Sequence, residues 1–330
     1  MHSAFRLPVS DVRRAQPASL APELRTDAAL RWLLLGQLDA IEDARADLSV
    51  EDDSERLHDL RVSLRRARTL VDASAGVFPE PVRTRFKRNL KGANELTGPV
   101  RDLDVLLAAF GRYRSRLPSE GRPYLELLRR EVERERQPAS RTVRAGLSSD
   151  GWRQWIGAWR TFLGSPVPRR STLARAMQPV YEVATACIDR SLAKVTKHGG
   201  RIASDTPAEA LHRLRLKVKR LRYLVEGFRS LYAADAIADL IGALKTFQDY
   251  LGAHQDLEVH ARAIGAHAAR LEADARATPA VRAAVRGLTD ALSEERRTLR
   301  ALYPQRLAGF DAPGQLAIFR TMAQASRLSC

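Results

Sequence analysis

Apolar residues recur every three to four positions along most of the chain, which is the period of an amphipathic helix. Leucine and alanine fill many of these positions, and arginine and glutamate fill many of the positions between them. Alternating runs typical of strands are rare, and no Asn-Gly or Asp-Gly pair stands between two such runs. We therefore predict an all-α protein. The pattern predicts helices over residues 25–46, 54–75, 80–97, 100–116, 121–147, 150–163, 172–197, 207–231, 234–251, 255–276, 279–302 and 312–326.

An internal repeat underlies this helical pattern. The stretch 58-HDLRVSLRRARTL-70 matches 212-HRLRLKVKRLRYL-224, and 91-KGANELTGPVRDLDV-105 matches 245-KTFQDYLGAHQDLEV-259. Both matches lie 154 positions apart and need no gap, as His58 and His212 illustrate. The sequence therefore predicts two copies of one helical unit.

The repeat sets the predicted domain organisation. The first copy covers residues 25–165 and the second covers residues 166–330, with the division near the Gly- and Pro-containing segment 164-GSPVPRR-170. Residues 1–24 have no continuous apolar region and read as a flexible leader. In the second repeated block, Gly98 and Gly252 are expected to end one helix and to precede a new helix that begins near an acid.

A basic stripe lies beside an apolar stripe on one helix of each copy. At 100° per residue, His58, Arg61, Arg65 and Arg68 fall on one narrow face, while Arg66 lies off it. The second copy repeats the stripe with His212, Arg215, Lys219 and Arg222. Like charges at such spacing repel one another, so the pattern favours an external anion that interacts with the cations. The adjoining leucines and valines are expected to pack into the core.

The overall charge agrees with an anionic partner. The 330 residues include 55 Lys and Arg against 39 Asp and Glu, which gives a net charge of +16 and a pI near 10.6. This imbalance favours nucleic acid, a polyphosphate or an anionic membrane surface. The two cysteines, Cys187 and Cys330, suggest neither a disulfide framework nor a thiolate metal site, and fit a cytoplasmic setting. No apolar run reaches the ~20 residues of a membrane span.

The chain lacks the usual signatures of an enzyme. No phosphate-binding loop, dinucleotide fingerprint, nucleophile elbow or His-Glu-x-x-His motif occurs. Asp102 and Asp256 are interpreted as helix-start acids that pair with a neighbouring arginine. The segment 254-HQDLEVH-260 offers metal-ligand types, but its histidines have no counterpart in the first copy. We therefore predict no catalytic residue, no metal site and no cofactor.

The repeated blocks together resemble the CHAD family of α-helical domains. The segments 57-LHDLRVSLRRAR-68, 98-GPVRDLDVL-106, 211-LHRLRLKVKRLRYLVE-226 and 244-LKTFQDYLGAHQDLEV-259 carry this resemblance, which extends from about Leu24 onward. It implies two four-helix bundles related by pseudo-two-fold symmetry around a basic groove or pore. It also implies a non-enzymatic protein that binds inorganic polyphosphate, in some relatives at polyphosphate granules.

The resemblance also implies which side chains bind polyphosphate. Gln255 stands where the first copy has Arg101, so Arg101 is a doubtful contributor. Matched positions in the two copies support Lys91 and Lys245. The implied polyphosphate-binding residues are His58, Arg61, Arg65, Arg66, Arg68, Lys91, His212, Arg215, Lys219, Arg220, Arg222 and Lys245.

Other functions stay open on the sequence alone. A basic groove also attracts DNA or RNA, although side chains suited to base reading are missing from both stripes. Asp102 and Asp256 could hold Mg²⁺ in an enzyme that acts on polyphosphate, and the histidines could chelate a metal. The residues do not define the oligomeric state.

Overall fold

The chain folds into helices, as the apolar period predicts. The computed structural model describes residues 20–50, 53–203, 205–274, 276, 278–310 and 314. Within these ranges no strand forms, and the β-type pairing is a bridge between Arg25 and Pro179. The α-helices are α1 Thr26–Val50, α2 Ser54–Ala73, α3 Glu80–Arg114, α4 Arg122–Leu147, α5 Asp150–Gly164, α6 Val180–Gly199, α7 Ala208–Gly227, α8 Ala234–Ala273, α9 Pro279–Ala301 and α10 Tyr303–Phe310. The prediction of an all-α protein is confirmed.

Two predicted helix breaks are wrong, because α3 and α8 each run through them. The predicted helices 80–97 and 100–116 form one helix, and 234–251 and 255–276 form another. Gly98 and Gly252 lie inside these helices and do not adopt a positive φ. Pro99 lies on the exposed side of α3, where its ring does not disturb the core. The buried face continues across the proline, so packing outweighs the local break signal.

The helix starts follow the sequence repeat. Helices α6, α7 and α8 begin at Val180, Ala208 and Ala234, each 154 residues after the start of α1, α2 and α3. Helix α6 begins later than the predicted residue 172, since the residue before a proline disfavours the helical conformation and Pro179 precedes the first turn. The division into two pseudo-symmetric four-helix bundles, with boundaries at residues 25–165 and 166–330, stays a prediction.

Two hydrophobic cores stabilise the fold. The larger core joins α1, α2, α5, α6 and α7 to the N-terminal parts of α3 and α8, and its fully buried side chains include Leu64, Phe86, Trp159 and Val218. The smaller core lies among the C-terminal parts of α3 and α8, with α4 and α9. Leu106 and Leu292 are buried there. Each long helix therefore belongs to both cores, and its middle lies where the two cores meet.

The two basic helices, α2 and α7, pack against each other. Leu60 and Leu64 on α2 and Leu214 and Val218 on α7 are buried, which confirms the predicted apolar stripes. The helices approach closely at Gly227, where an added Cβ would lie 3.3 Å from Leu70 Cδ2. This packing places one basic stripe beside the other.

The chain ends lie partly outside the described residues. Residues 20–24, part of the predicted leader, pack onto the fold: Leu20 is buried, and its amide donates to Ser230 Oγ at 3.2 Å. Residues 1–19 of that leader, and the predicted helix 312–326 apart from Gly314, are outside the described ranges. In the part of the chain that the structure describes, no helix is long and apolar enough to cross a membrane.

Candidate anion-binding site

Reciprocal ion pairs connect the two basic helices. Arg66 on α2 pairs with Glu226 on α7 at 2.9 Å, and Arg220 on α7 pairs with Asp72 on α2 at 3.5 Å. Arg66 and Arg220 are equivalent in the repeat, and so are Asp72 and Glu226. Each copy therefore supplies one arginine and one acid to the other across the α2–α7 contact.

Arg61 is the most deeply buried cation of the first stripe. Its Nη1 atom donates to the carbonyl oxygen of Asn94 and to Thr97 Oγ1, both at 2.8 Å. A Cβ on Gly98 would lie 3.7 Å from the same nitrogen. Burial, reinforced by the positive charge of Arg65, lowers the pKa of Arg61 to about 10. The guanidinium is thus still charged at neutral pH and is fixed against α3.

Arg215 occupies the equivalent position in the second copy. A Cβ on Gly252 would lie 3.5 Å from its Nη2 atom, and that nitrogen is 3.8 Å from Asp256 Oδ1. Gly252 is therefore the counterpart of Gly98 in structure as well as in sequence. Both glycines lie next to an arginine head group, and neither ends the helix as the sequence suggested. The predicted ion pair with an arginine is confirmed for Asp256, whereas Asp102 has no ion-pair partner within 4 Å among the described residues.

Asp102 on α3 and Asp256 on α8 lie close enough for their charges to interact. Burial raises the pKa of Asp102, and the charge of Asp256 raises it further, while Arg61, Arg65 and Arg101 oppose this shift. The Asp102 side chain nevertheless reaches solvent. The two carboxylates therefore lie beside arginines of both stripes at a surface that water reaches.

Lys219 lies where the positive charges of the two stripes converge. Burial first, and then the positive charges of Arg65, Arg215, Arg222 and Arg61 in that order, together lower its pKa to about 7. Among the described residues, no carboxylate lies within ion-pair distance of its Nζ atom. The side chain is still partly accessible to solvent. Since Arg61 and Arg65 belong to α2 and the others to α7, the two predicted stripes form one electrostatic site.

The two predicted histidines border this site. His58 is half-buried, and its pKa is lowered first by burial and then by the charge of Arg101. Buried Nδ1 of His212 has no hydrogen-bond partner in the described part of the chain. Arg101 lies near the site, because its charge also acts on Arg61 and Asp102.

The remaining predicted arginines fall into two groups. Arg65 and Arg68 have no ion-pair partner among the residues that the structure describes, and Arg68 is exposed. Arg66 and Arg220 form the ion pairs with Glu226 and Asp72 described above. Arg222 also pairs with Glu226, at 3.2 Å. The first group is available for a ligand without the loss of an internal contact. The second group also holds α2 against α7.

Lys91 and Lys245 are exposed on α3 and α8. Lys91 pairs with Glu95 at 3.4 Å, and both side chains are mostly in water. The contact of Arg61 with Gly98 and the ion pair of Lys87 with Asp72 fix α2 and α3 in an antiparallel register. This register sets Lys91 level with Arg68, at the outer end of the site. Its predicted role as a phosphate ligand stays a prediction, as does that of Lys245.

Sequence reasoning did not assign Asp72 or Glu226. Both are acids at matched positions of the repeat, four residues after Arg68 and Arg222, so the repeat itself contained a usable signal. The partner of each acid lies on the other copy, however, and no spacing along one helix identifies it. Within the described ranges, no group of three or more His, Cys, Asp or Glu side chains is arranged to hold a metal ion.

The fold and the site together define an all-α protein with one cationic site shared by two related basic helices. The family model for the CHAD domain matches residues 33–265, more than half of the chain. The chain therefore belongs to the CHAD family, which is known as a polyphosphate-binding domain. No curated protein matches the chain.

Solved structures share the fold. The CHAD domain from the plant Ricinus communis aligns with a TM-score of 0.71 and 23% identity, covering 94% of this chain and 97% of that one. PptA from Streptomyces chartreusis aligns with a TM-score of 0.64 and 19% identity, covering 86% of this chain and 99% of that one. At these identities the likeness concerns the fold.

Proposed function

We propose that this protein binds inorganic polyphosphate in the groove between α2 and α7 and that it does so without chemical turnover. The observation that supports this most strongly is the convergence of Arg61, Arg65, Arg215 and Arg222 around Lys219, which has no acid partner within the described residues. Membership of the CHAD family supports the same ligand. In the cell, such binding would bring the protein to polyphosphate granules in the cytoplasm.

The chemistry of the groove suits a chain of phosphates. Each phosphate carries a negative charge and several acceptor oxygens, and a planar guanidinium can donate two parallel hydrogen bonds to them. Buried Nε atoms of Arg61, Arg215 and Arg222 have no hydrogen-bond partner in the described part of the chain. A bound polyanion also relieves the repulsion between these cations, because it places negative charge among them.

Nucleic acid is the second candidate, since it offers phosphates with similar charge. Base readout needs donors and acceptors aimed at base edges, and the groove residues are cations and two carboxylates. In a chain of linked phosphates, charge is denser along the ligand than in DNA or RNA. We therefore expect polyphosphate to displace single-stranded DNA from the groove, and DNA to displace polyphosphate poorly.

Titration calorimetry with long-chain polyphosphate at two salt concentrations tests the proposal. The site variant is Arg65→Ala/Lys219→Ala, which removes two cations without breaking an ion pair within the described residues. The matched control is Arg141→Ala/Arg286→Ala, which removes two exposed arginines on α4 and α9 and at least as much positive charge. The site variant should lose at least tenfold in affinity, and the control should lose much less.

Equal loss in both variants would show that binding follows net charge, and the groove would then not be the site. Absence of binding by the wild-type protein would reject polyphosphate as the ligand. Release of phosphate from polyphosphate in the presence of Mg²⁺ or Mn²⁺, abolished by Asp102→Asn/Asp256→Asn, would instead support an enzyme.

A further inference from the structure

Lys219 differs chemically from the other cations of the groove. Its first-copy counterpart is Arg65, so the pseudo-symmetric site contains one primary amine where the repeat has a guanidinium. Lys219 as a residue is partly accessible to solvent, and its amine has no carboxylate partner within the described residues. A lysine in such a position can act as a nucleophile, whereas an arginine cannot be deprotonated in a protein.

We propose that Lys219 is a site of acylation by small acyl phosphates, and that acylation switches off the anion-binding groove. The first part concerns the reactivity of one side chain, and the second part rests on the proposed function. The relevant class of reagent is an activated carboxylic acid joined to phosphate, with acetyl phosphate as the simplest example.

Acyl transfer requires a bound acyl phosphate and a neutral amine, and the groove supplies both. Arginines on each side of Lys219, namely Arg61 and Arg65 from α2 and Arg215 and Arg222 from α7, are able to hold the phosphate of the reagent. Burial and these charges keep the pKa of Lys219 at about 7, so much of the amine is neutral at physiological pH. The carboxylates of the site, Asp102 on α3 and Asp256 on α8, lie by Arg61 and Arg215 and leave the amine free.

The step is a simple acyl transfer. The lone pair of Nζ attacks the carbonyl carbon, and an N–C bond forms while the bond between that carbon and the phosphate oxygen breaks. Inorganic phosphate leaves with the bonding electrons, and the proton lost from nitrogen passes to the phosphate or to water. The product is a neutral amide in place of a cation, so the groove loses one positive charge and one ammonium donor.

Incubation of the full chain with acetyl phosphate, followed by site-resolved mass spectrometry, tests this inference. Lys194 on α6 is an exposed lysine and serves as the internal reference. At pH 7.5 we expect Lys219 to be acetylated on the order of tenfold faster, since a larger neutral fraction outweighs the weaker nucleophilicity of a less basic amine. Tripolyphosphate should protect Lys219 and leave Lys194 unchanged.

A second reagent separates phosphate guidance from simple reactivity. With acetyl N-hydroxysuccinimide, which has no phosphate, the preference for Lys219 over Lys194 should be smaller. Acetylation of Lys219 no faster than that of Lys194 with both reagents would overturn the proposal.

The consequence for binding is tested with Lys219→Gln, which resembles acetyl-lysine, and Lys219→Arg, which keeps the charge. We expect polyphosphate affinity to fall at least fivefold in the first and to be no weaker than that of the wild type in the second. The two failures are distinguishable. If Lys219 is acetylated selectively but the wild-type protein does not bind polyphosphate, the proposed function fails and the reactive lysine stands. If polyphosphate binds but Lys219 is not selective, only the acylation proposal fails.

Discussion

Arg66 on α2 and Glu226 on α7 form an ion pair of 2.9 Å between the two halves of the chain. Glu226 is shared, because Arg222 of its own helix also pairs with it at 3.2 Å. The acid is mostly buried, and the Tyr223 ring lies against both arginines. One carboxylate therefore pairs with two of the arginines that the sequence assigned to the ligand. Through this contact these arginines also stabilise the packing of α2 against α7.

Glu226→Ala should destabilise the protein more than Arg66→Ala does. The first change leaves two arginines without their shared acid, and we expect a loss of about 1–2 kcal/mol in the free energy of unfolding. Arg66 is about two-fifths exposed, so its removal should cost about 0.5 kcal/mol. Urea unfolding of the two variants and of the double variant measures these values.

Polyphosphate binding provides the control for this prediction. Glu226→Gln removes a negative charge near the groove and frees Arg66 and Arg222, so affinity should stay equal or rise although stability falls. A loss of affinity in Glu226→Gln, at temperatures where the variant is folded, would contradict the conclusion that Glu226 stabilises the α2–α7 contact and does not support binding.

Much of the fold could be predicted from the sequence, because the apolar period and the repeat are local properties of the chain. The continuation of α3 through Gly98 and of α8 through Gly252 could not be predicted. The usual helix-break signal is outweighed there by packing, which includes the arginines that lie next to the glycines. The stripes themselves were visible from helical spacing. The reciprocal pairs of Arg66 and Arg220 were not, because each acid partner lies on the opposite copy.

The affinity for polyphosphate should decrease as the pH rises through 7. Lys219 has a pKa of about 7 in the free protein, and a bound polyanion favours its charged form, so binding takes up a proton. Well below pH 7 the lysine is already charged and affinity is constant with respect to this group. Above pH 7 the cost of protonation reduces affinity until the pH exceeds the pKa of the bound state. Calorimetry in buffers with different ionisation enthalpies measures the proton uptake.

Lys219→Arg separates this effect from the histidines. The variant keeps the positive charge and cannot lose it, so the decrease above pH 7 should largely disappear. His58, whose pKa is lowered by burial and by Arg101, should still contribute a weaker dependence at lower pH. A variant with the same pH profile as the wild type would show that Lys219 is not the titrating group.

Asp102→Asn/Asp256→Asn should strengthen polyphosphate binding. The two carboxylates lie beside Arg61 and Arg215, where they oppose an anionic ligand and compete with it for these arginines. Their removal should raise affinity several-fold at low salt, and the gain should shrink as salt screens the groove. Titration calorimetry measures both values. Weaker binding in this variant would mean that the carboxylates hold a cation that the ligand needs.

The smaller core should lose stability in mild acid before the larger one. His254, His260 and His267 are buried on α8, and burial is the main cause that lowers the pKa of each. The unfolded chain takes up protons as the pH falls below about 6.5, whereas these folded histidines resist protonation, so stability decreases with falling pH. Near neutral pH these histidines are neutral, and they do not reduce the free energy of unfolding in this way.

One of these histidines has a contact that a neutral ring satisfies. Nδ1 of His260 lies 2.5 Å from the Tyr113 hydroxyl, which can donate to an unprotonated nitrogen.

Nearby charges act on the pKa of these histidines in both directions: Asp256 favours protonation of His260, and Arg112 opposes it. For His267, Arg270 opposes protonation and Glu135 and Glu131 favour it. For His254, Arg296 and Arg300 oppose it and Glu258 favours it. Burial is the largest cause for all three histidines, so the pKa of each is lowered.

Hydrogen exchange followed by mass spectrometry at pH 7.5 and 5.5, corrected for intrinsic exchange rates, measures the effect segment by segment. Protection should fall around Leu106 and Ile264 in the smaller core while it persists around Leu64 and Val218 in the larger core. His260→Gln should reduce the difference between the two pH values, and His198→Gln, at a position away from this core, should leave it unchanged. Equal loss of protection in both cores would show that acid acts on the whole fold and not through the histidines of α8.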